Sequence, residues 1–155
     1  LKYTPGYLSN AGVMAFATVA ATALAASDKA AVKASVAANC TIVVVGELNF
    51  GALDQSSNES TATGSVFYWC TKGTPYTITL DNGENYDAGS AKRQMKQLGG
   101  PGLLPYQLSI DKESGIGNGL PVNARAVLSG TIFGHDIRSS VAADYVDNVT
   151  VTIEP

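Results

Sequence analysis

Residues 66–83 read VFYWCTKGTPYTITLDNG, and this stretch decides the expected fold. In a strand, successive side chains point to opposite faces, so Val66, Tyr68 and Cys70 share one face and Phe67 and Trp69 the other. With both faces apolar, the strand is expected to be central and covered on both sides. Gly73 and Pro75 then break the chain. Tyr76, Ile78 and Leu80 alternate with Thr77 and Thr79 in a half-buried strand that ends at the turn Asp81-Asn82-Gly83.

The same grammar extends in both directions. Upstream, the polar stretch Asp54 to Gly64 reads as a loop, preceded by short apolar runs at Leu48 to Phe50 and Thr41 to Val45, with Gly46 between them. Further upstream, Val32, Ala34, Val36 and Ala38 occupy every second position, which reads as a strand with one apolar face. Downstream, Glu84 to Gly102 is polar and ends in the breaker GGPG, so it is expected to be a long loop with one short strand near Met95. Tyr106, Leu108 and Ile110 share a strand face, Gly115 to Gly119 form a turn, and Val122 to Phe133 supply one or two more strands. Tyr145, Val149, Val151 and Ile153 line one face of a last strand, opposed by Asn148, Thr150, Thr152 and Glu154.

Short strands with turn signals between them, and no helical period after residue 26, predict an all-β chain: a Greek-key β-sandwich. A chain of 155 residues suits one domain with a substantial core. Only 15% of its residues are charged, and the net charge is −3, with Lys and Arg scattered. Nucleic-acid binding, which needs clustered cations, is therefore not expected. Cys40 and Cys70 suit one disulfide formed in an oxidising compartment better than a metal site. Such a bridge would close a loop of about 30 residues, worth roughly 3 to 4 kcal/mol.

The run AGVMAFATVAATALAA, Ala11 to Ala26, is apolar, follows Lys2 and ends in the small-residue pattern Ala23-Leu24-Ala25. It reads as an export signal cleaved before Ala26, or else as a persisting N-terminal arm. Its length falls short of the ~20 residues of a membrane span, so no stable membrane anchor is expected.

Chemistry-bearing residues are sparse. His135 beside Asp136 has no accompanying nucleophile motif and reads as a surface turn residue. Asp81, Glu84 and Asp87 lack the spacing of a calcium loop. Gly115 to Leu120, GIGNGL, fails the phosphate fingerprint because Leu120 stands at the third glycine position. No catalytic residue, metal ligand or cofactor site is assigned, and the chain is not expected to be an enzyme.

In order and spacing, the segments from about Ala30 to Ile153 resemble an archaic chaperone–usher pilin, the spore coat protein U type domain. They comprise the alternating strand leading to Cys40, Leu48-Asn49-Phe50-Gly51, Cys70 followed by Thr71 and Gly73, and Tyr76 to Leu80 with Gly83. Arg93 and Met95, Leu104-Pro105-Tyr106 leading to Asp111, Gly130 with Phe133-Gly134, and Tyr145-Val146-Asp147 before the VTVTI strand complete the pattern. The resemblance implies an incomplete immunoglobulin-like sandwich, 40–155, completed by an N-terminal donor strand, 26–39, from a neighbouring subunit. It places Val32, Ala34, Val36 and Ala38 on the donor strand, and Tyr145, Val149, Val151 and Ile153 on the strand flanking the acceptor groove.

The implied partners are identical pilin subunits, with a periplasmic chaperone and an outer-membrane usher during assembly. The implied location is an extracellular surface pilus that supports adhesion and biofilm formation. Two alternatives stand beside this reading. The Val32 to Ala38 stripe could instead be an ordinary first strand paired within its own domain, and the same sandwich could serve as a tip adhesin or coat-protein binding module.

Overall fold

A computed structural model describes residues 25–155. The expected export signal, residues 1–25, lies almost wholly outside the described residues. The latter fall into two units, 25–34 and Ser35–Pro155. Residues 25–34 form no helix or strand and are exposed.

The second unit holds nine strands and a short helix among the described residues: β1 Cys40–Val45, β2 Glu59–Cys70, β3 Pro75–Leu80, β4 Arg93–Gln97, β5 Leu103–Ile110, β6 Ser114–Ile116, β7 Ala124–Phe133, α1 Gly134–Ser139, β8 Tyr145–Val146 and β9 Val151–Glu154. Six strands form one sheet in the order β1-β2-β7-β5-β4-β8, and three form the other in the order β6-β3-β9. Every pairing is antiparallel. The sheets share a core in which Val66 and Tyr68 of β2 and Ala126 and Leu128 of β7 pack with Tyr76 and Ile78 of β3. Tyr68 and Tyr76 meet edge to face and join hydroxyls at 2.7 Å, which satisfies both polar ends inside that core.

Several expectations change. β2 begins at Glu59, so half of the expected polar loop is strand: its Ser and Thr residues alternate with Ala62 and Gly64, which face inward. β2 is flanked by β1 and β7, as a central strand would be, but only its Val66–Tyr68–Cys70 face is buried. Phe67 is exposed and Trp69 half-buried on the other face, the outside of a two-layer sandwich. Leu48 to Phe50 is not a strand. Nor is the chain free of helix after residue 26: α1 occupies Gly134–Ser139, and His135 lies on it rather than in a turn. The expected last strand is broken in two. Tyr145 belongs to β8 in the six-stranded sheet, Ile153 and Val151 to β9 in the other, and Val149 lies between.

Candidate functional site: a groove between two backbone edges

Part of the larger sheet lies beyond the three strands of the smaller one. That part carries a second core cluster, Leu104, Tyr106, Ile132 and Ile137, and above it opens a cavity of ≈ 960 Å³. Its two long walls come from separate parts of the chain.

One wall starts where β1 leaves its sheet. β1 is irregular between Ile42 and Val44, and the Gly46 N–H donates to the Ser65 carbonyl at 2.7 Å. A Cβ on Gly46 would press on that same carbonyl at 3.1 Å, so glycine allows the close approach at the departure point. Beyond it, residues 47–53 cross the inner face of β2 and β7 over two glycines. A Cβ on Gly64 would meet the Glu47 carbonyl and Leu48, and one on Gly130 would meet Leu48 and Phe50. Leu48 and Phe50 therefore sit where the sheet offers no side chains. Within 47–53, the backbone donor with a partner among the described residues is Gly51, which bonds Asn49 Oδ1 at 2.7 Å. The segment is a backbone edge without a ladder.

The other wall is β9 and the link that leads to it. β9 pairs with β3 alone, through Thr77↔Glu154 to Leu80↔Val151, so its outer edge is also unpaired among the described residues. Tyr145, Val149 and Val151 line the cavity, while Ile153 packs into the first core. Of the four residues assigned to the acceptor strand, three line this cavity and Ile153 does not. Val149 and Tyr145 pack on the second core cluster, Val151 and Ile153 on the first.

The link between β8 and β9 is fixed by polar contacts. The Tyr106 hydroxyl donates to Asp147 Oδ2 at 2.5 Å, and the Glu84 N–H donates to Asp147 Oδ1 at 2.9 Å. The Thr150 N–H donates to Asp81 Oδ1 at 2.9 Å, and the Asp81 N–H donates back to the Thr150 carbonyl at 3.0 Å. Arg93 donates Nε and Nη2 to the Asp81 carbonyl at 2.9 and 2.6 Å. Burial, with the hydrogen bond to Asp147, pushes the Tyr106 phenol well above its ordinary pKa. Hydrogen bonds from Thr150 and Gly83 hold the Asp81 carboxyl below its own. Sequence reading marked Tyr106, Arg93, Gly83 and Asp147 as parts of a pattern without giving them this role. Their meeting depends on residues distant in the chain, which periodicity does not reveal.

Cys40 and Cys70 form the expected disulfide, on directly opposed positions of β1 and β2. Beside it, Thr71 receives the Asn39 N–H on its hydroxyl oxygen at 3.1 Å and donates its own N–H to the Asn39 carbonyl at 2.8 Å. The Thr71 hydroxyl lies 3.1 Å from the Ala37 carbonyl. Among the described residues before Cys40, the ties to the sandwich therefore lie at the root, at Ala37 and Asn39. Val32 and Val36 are 93% and 85% exposed, and residues 25–39 belong to no strand, so the reading of this stripe as a first strand paired within its own domain is not what the structure contains.

His135 Nε2 lies 3.2 Å from the buried carboxylate of Asp136 on α1, with Lys92 at 3.9 Å on the same oxygen. Of the three acidic residues weighed for calcium, Asp81 bonds Thr150 and Gly83, and Asp87 bonds Gly89 and Ser90. The bonds to Gly83, Gly89 and Ser90 are turn contacts, and the one to Thr150 ties the turn to the chain before β9.

A family model for the Spore Coat Protein U domain matches residues 26–152. No curated protein matches the chain. Among solved structures, the chain is similar to the complex of chaperone CsuC with the tip adhesion subunit CsuE, from archaic chaperone–usher Csu pili of Acinetobacter baumannii. The identity is 24% and the TM-score 0.52, over 77% of this chain and 40% of that one. A chaperone–tip adhesin complex of CFA/I fimbriae biogenesis aligns at 16% identity and a TM-score of 0.45, over 76% of this chain and 41% of that one. The chain thus spans well under half the length of the solved chains it matches. The first likeness shows the fold, an immunoglobulin-like all-β sandwich.

Proposed function

Because the chain belongs to the Spore Coat Protein U domain family, we propose that it is a chaperone–usher pilus subunit that polymerises by donor-strand exchange. The observation that carries this reading is the pair of backbone edges, residues 47–53 and β9, unpaired among the described residues and lining one cavity with an apolar floor. A small molecule could cover the floor but could not satisfy two rows of peptide groups; an extended strand does both.

The occupant is residues 26–38 of a second copy. Within that segment Val32, Ala34, Val36 and Ala38 occupy every second position, and its own chain leaves it exposed. Burial of Val32 and Val36 contributes roughly 1.5 to 3 kcal/mol each. Ala34 and Ala38 add less but keep the strand slim. Side-chain burial of that size does not account for a durable fibre. Durability comes from the strand being part of a folded sandwich, so that release requires unfolding.

Before exchange, a periplasmic chaperone covers the groove, and an outer-membrane usher directs the exchange on the way to a surface pilus. The role is structural, with adhesion and biofilm formation as its outcome, and no catalytic step is assigned. The exposed arm favours a shaft subunit over a tip adhesin, which needs a groove but has no neighbour ahead to receive a strand.

The test is expression of the chain with and without residues 26–38 and electron microscopy of the exported material. Fibres are expected only with the segment, and Val36→Asp is expected to abolish or weaken them. Equal fibres from both forms would overturn the reading.

A further inference from the structure

Charge is divided unevenly along this chain. Residues 39–155 carry seven Lys and Arg against twelve Asp and Glu, a net of −5, whereas residues 26–38 carry Lys29 and Lys33 against Asp28, a net of +1. The exposed arm is thus a cationic strip on an acidic sandwich. In an extended strand Lys29 and Lys33 fall on the face opposite Val32, Ala34, Val36 and Ala38, so seating the apolar face leaves both ammonium groups at the surface.

The rim they approach is acidic. Among the described residues, the lining of the cavity includes Glu47 on one wall and Asp144 and Asp147 flanking β8, and no Lys, Arg or His. Glu47 and Asp144 are exposed, while Asp147 is half-buried and takes the Tyr106 hydroxyl and the Glu84 N–H. The ion pairs among the described residues, those of Lys92 and His135 with Asp136, involve none of the three.

We propose that Lys29 and Lys33 of one copy steer its arm to the acidic rim of the next, Glu47 and Asp144, so that electrostatic attraction sets the rate at which the strand arrives. The inference rests on the strand-acceptor reading of the groove and names what in the arm is recognised before its apolar face is buried. The rim acids lie outside the floor, so the attraction does not require the floor to be bare. Unlike charges attract at a distance and raise the rate of encounter, and salt shortens their reach from about 30 Å at 0.01 M to about 8 Å at 0.15 M. Exposed ion pairs add little to a complex already formed, so the effect falls on association and not on dissociation.

The experiment uses the full chain carrying Val36→Asp, which keeps its groove while its own arm is disabled. The probes are two fluorescein-labelled peptides of residues 26–38, one native and one carrying Lys29→Glu and Lys33→Glu. Anisotropy gives association and dissociation rates separately, at neutral pH, in about 0.01 M and about 0.15 M sodium chloride. Association of the native peptide is expected to fall about three- to tenfold with the added salt. The reversed peptide is expected to associate more slowly at low salt and to be accelerated by salt, because screening then relieves repulsion. Dissociation of the native peptide is expected to change less than about threefold. A receiving chain that carries Glu47→Lys and Asp144→Lys in addition is expected to exchange the preference and take the reversed peptide faster. The two peptides on the reference chain carry the test if that variant fails to fold. Parallel salt responses of the two peptides overturn the steering while leaving the groove's function standing, and an unchanged preference in the folded lysine variant overturns the rim as its source. A reference chain that binds the native peptide at neither salt concentration overturns both the steering and the groove's function.

Discussion

Gly130, in the middle of β7, lies directly beneath the ring of Phe50: a Cβ at this position would stand 2.7 Å from the ring's Cζ and 2.8 Å from Leu48 Cδ2. The two residues define how deeply the 47–53 segment sits on the sheet, and so how wide the groove is. Gly130→Ala is expected to lift Leu48 and Phe50 out of place and lower stability by about 1 to 3 kcal/mol, the usual range for overpacking. Urea unfolding measures the loss. Because the displaced side chains are wall residues, binding of the 26–38 peptide is expected to weaken as well.

The disulfide joins directly opposed positions of β1 and β2 and closes a loop with a sequence separation of 30. Replacing Cys40 and Cys70 by serine is expected to cost roughly 3 kcal/mol of unfolding free energy on the chain-entropy estimate. It also frees the root of the arm, since Asn39 is then held by Thr71 alone. Hydrogen exchange is the check: the Thr71 amide, which donates to Asn39, is expected to lose protection in the double variant while amides of β7 keep theirs. Equal protection at Thr71 would show that the disulfide does not set the arm's root.

Residue order alone exposed the sandwich, because a period of two is local: Tyr76, Ile78 and Leu80 alternate whatever they later touch, and β3 formed where the alternation lies. What was not legible depends on partners far away in sequence. Leu48 and Phe50 look like a strand, yet they lie over Gly64 and Gly130 and have no ladder. The VTVTI alternation is real, but its extension back to Tyr145 crosses from one sheet to the other at Asp147, where Tyr106 and Glu84 hold the chain. The helix after β7 has no signature in the sequence, because six residues are too few to show a helical period. Val32 to Ala38 carried a strand's pattern without a strand's partner, a discrepancy that only coordinates display.

Tyr68 gives the fold an alkaline limit. Its side chain is buried, its hydroxyl pairs with Tyr76, and burial raises its pKa well above the ordinary value of 10.0. Since the folded-state pKa is the higher one, the associated stability is fully present below pH 10.0 and is lost as pH rises beyond it toward the folded-state value. Tyr106 acts in the same direction. The chain is expected to lose stability progressively above pH 10, with ultraviolet absorbance showing these phenols ionising together with unfolding. Tyr68→Phe is expected to flatten that dependence while lowering stability at neutral pH, where the hydroxyl pair is lost.

Asp81 sets the acid limit of the groove wall. Its carboxylate accepts hydrogen bonds from the backbone of Thr150 and Gly83, and its pKa is held below the ordinary 3.8 first by the Thr150 side chain and then by these backbone donors. A depressed folded-state pKa means that the stabilisation is fully present above pH 3.8 and disappears as pH falls through the lower, folded-state value. Asp81→Ala is therefore expected to be less stable than the unaltered chain at pH 7, with the gap narrowing below about pH 4 as the native carboxylate takes up a proton. Thermal unfolding of both proteins between pH 2 and pH 7 measures that gap, and a gap constant across the range would mean that the ionised carboxylate contributes nothing. Because Thr150 immediately precedes β9, the same protonation loosens the wall against which a lent strand pairs. Exchange of the 26–38 peptide is accordingly expected to quicken in acid in the native sequence, and to be fast and insensitive to acid in Asp81→Ala.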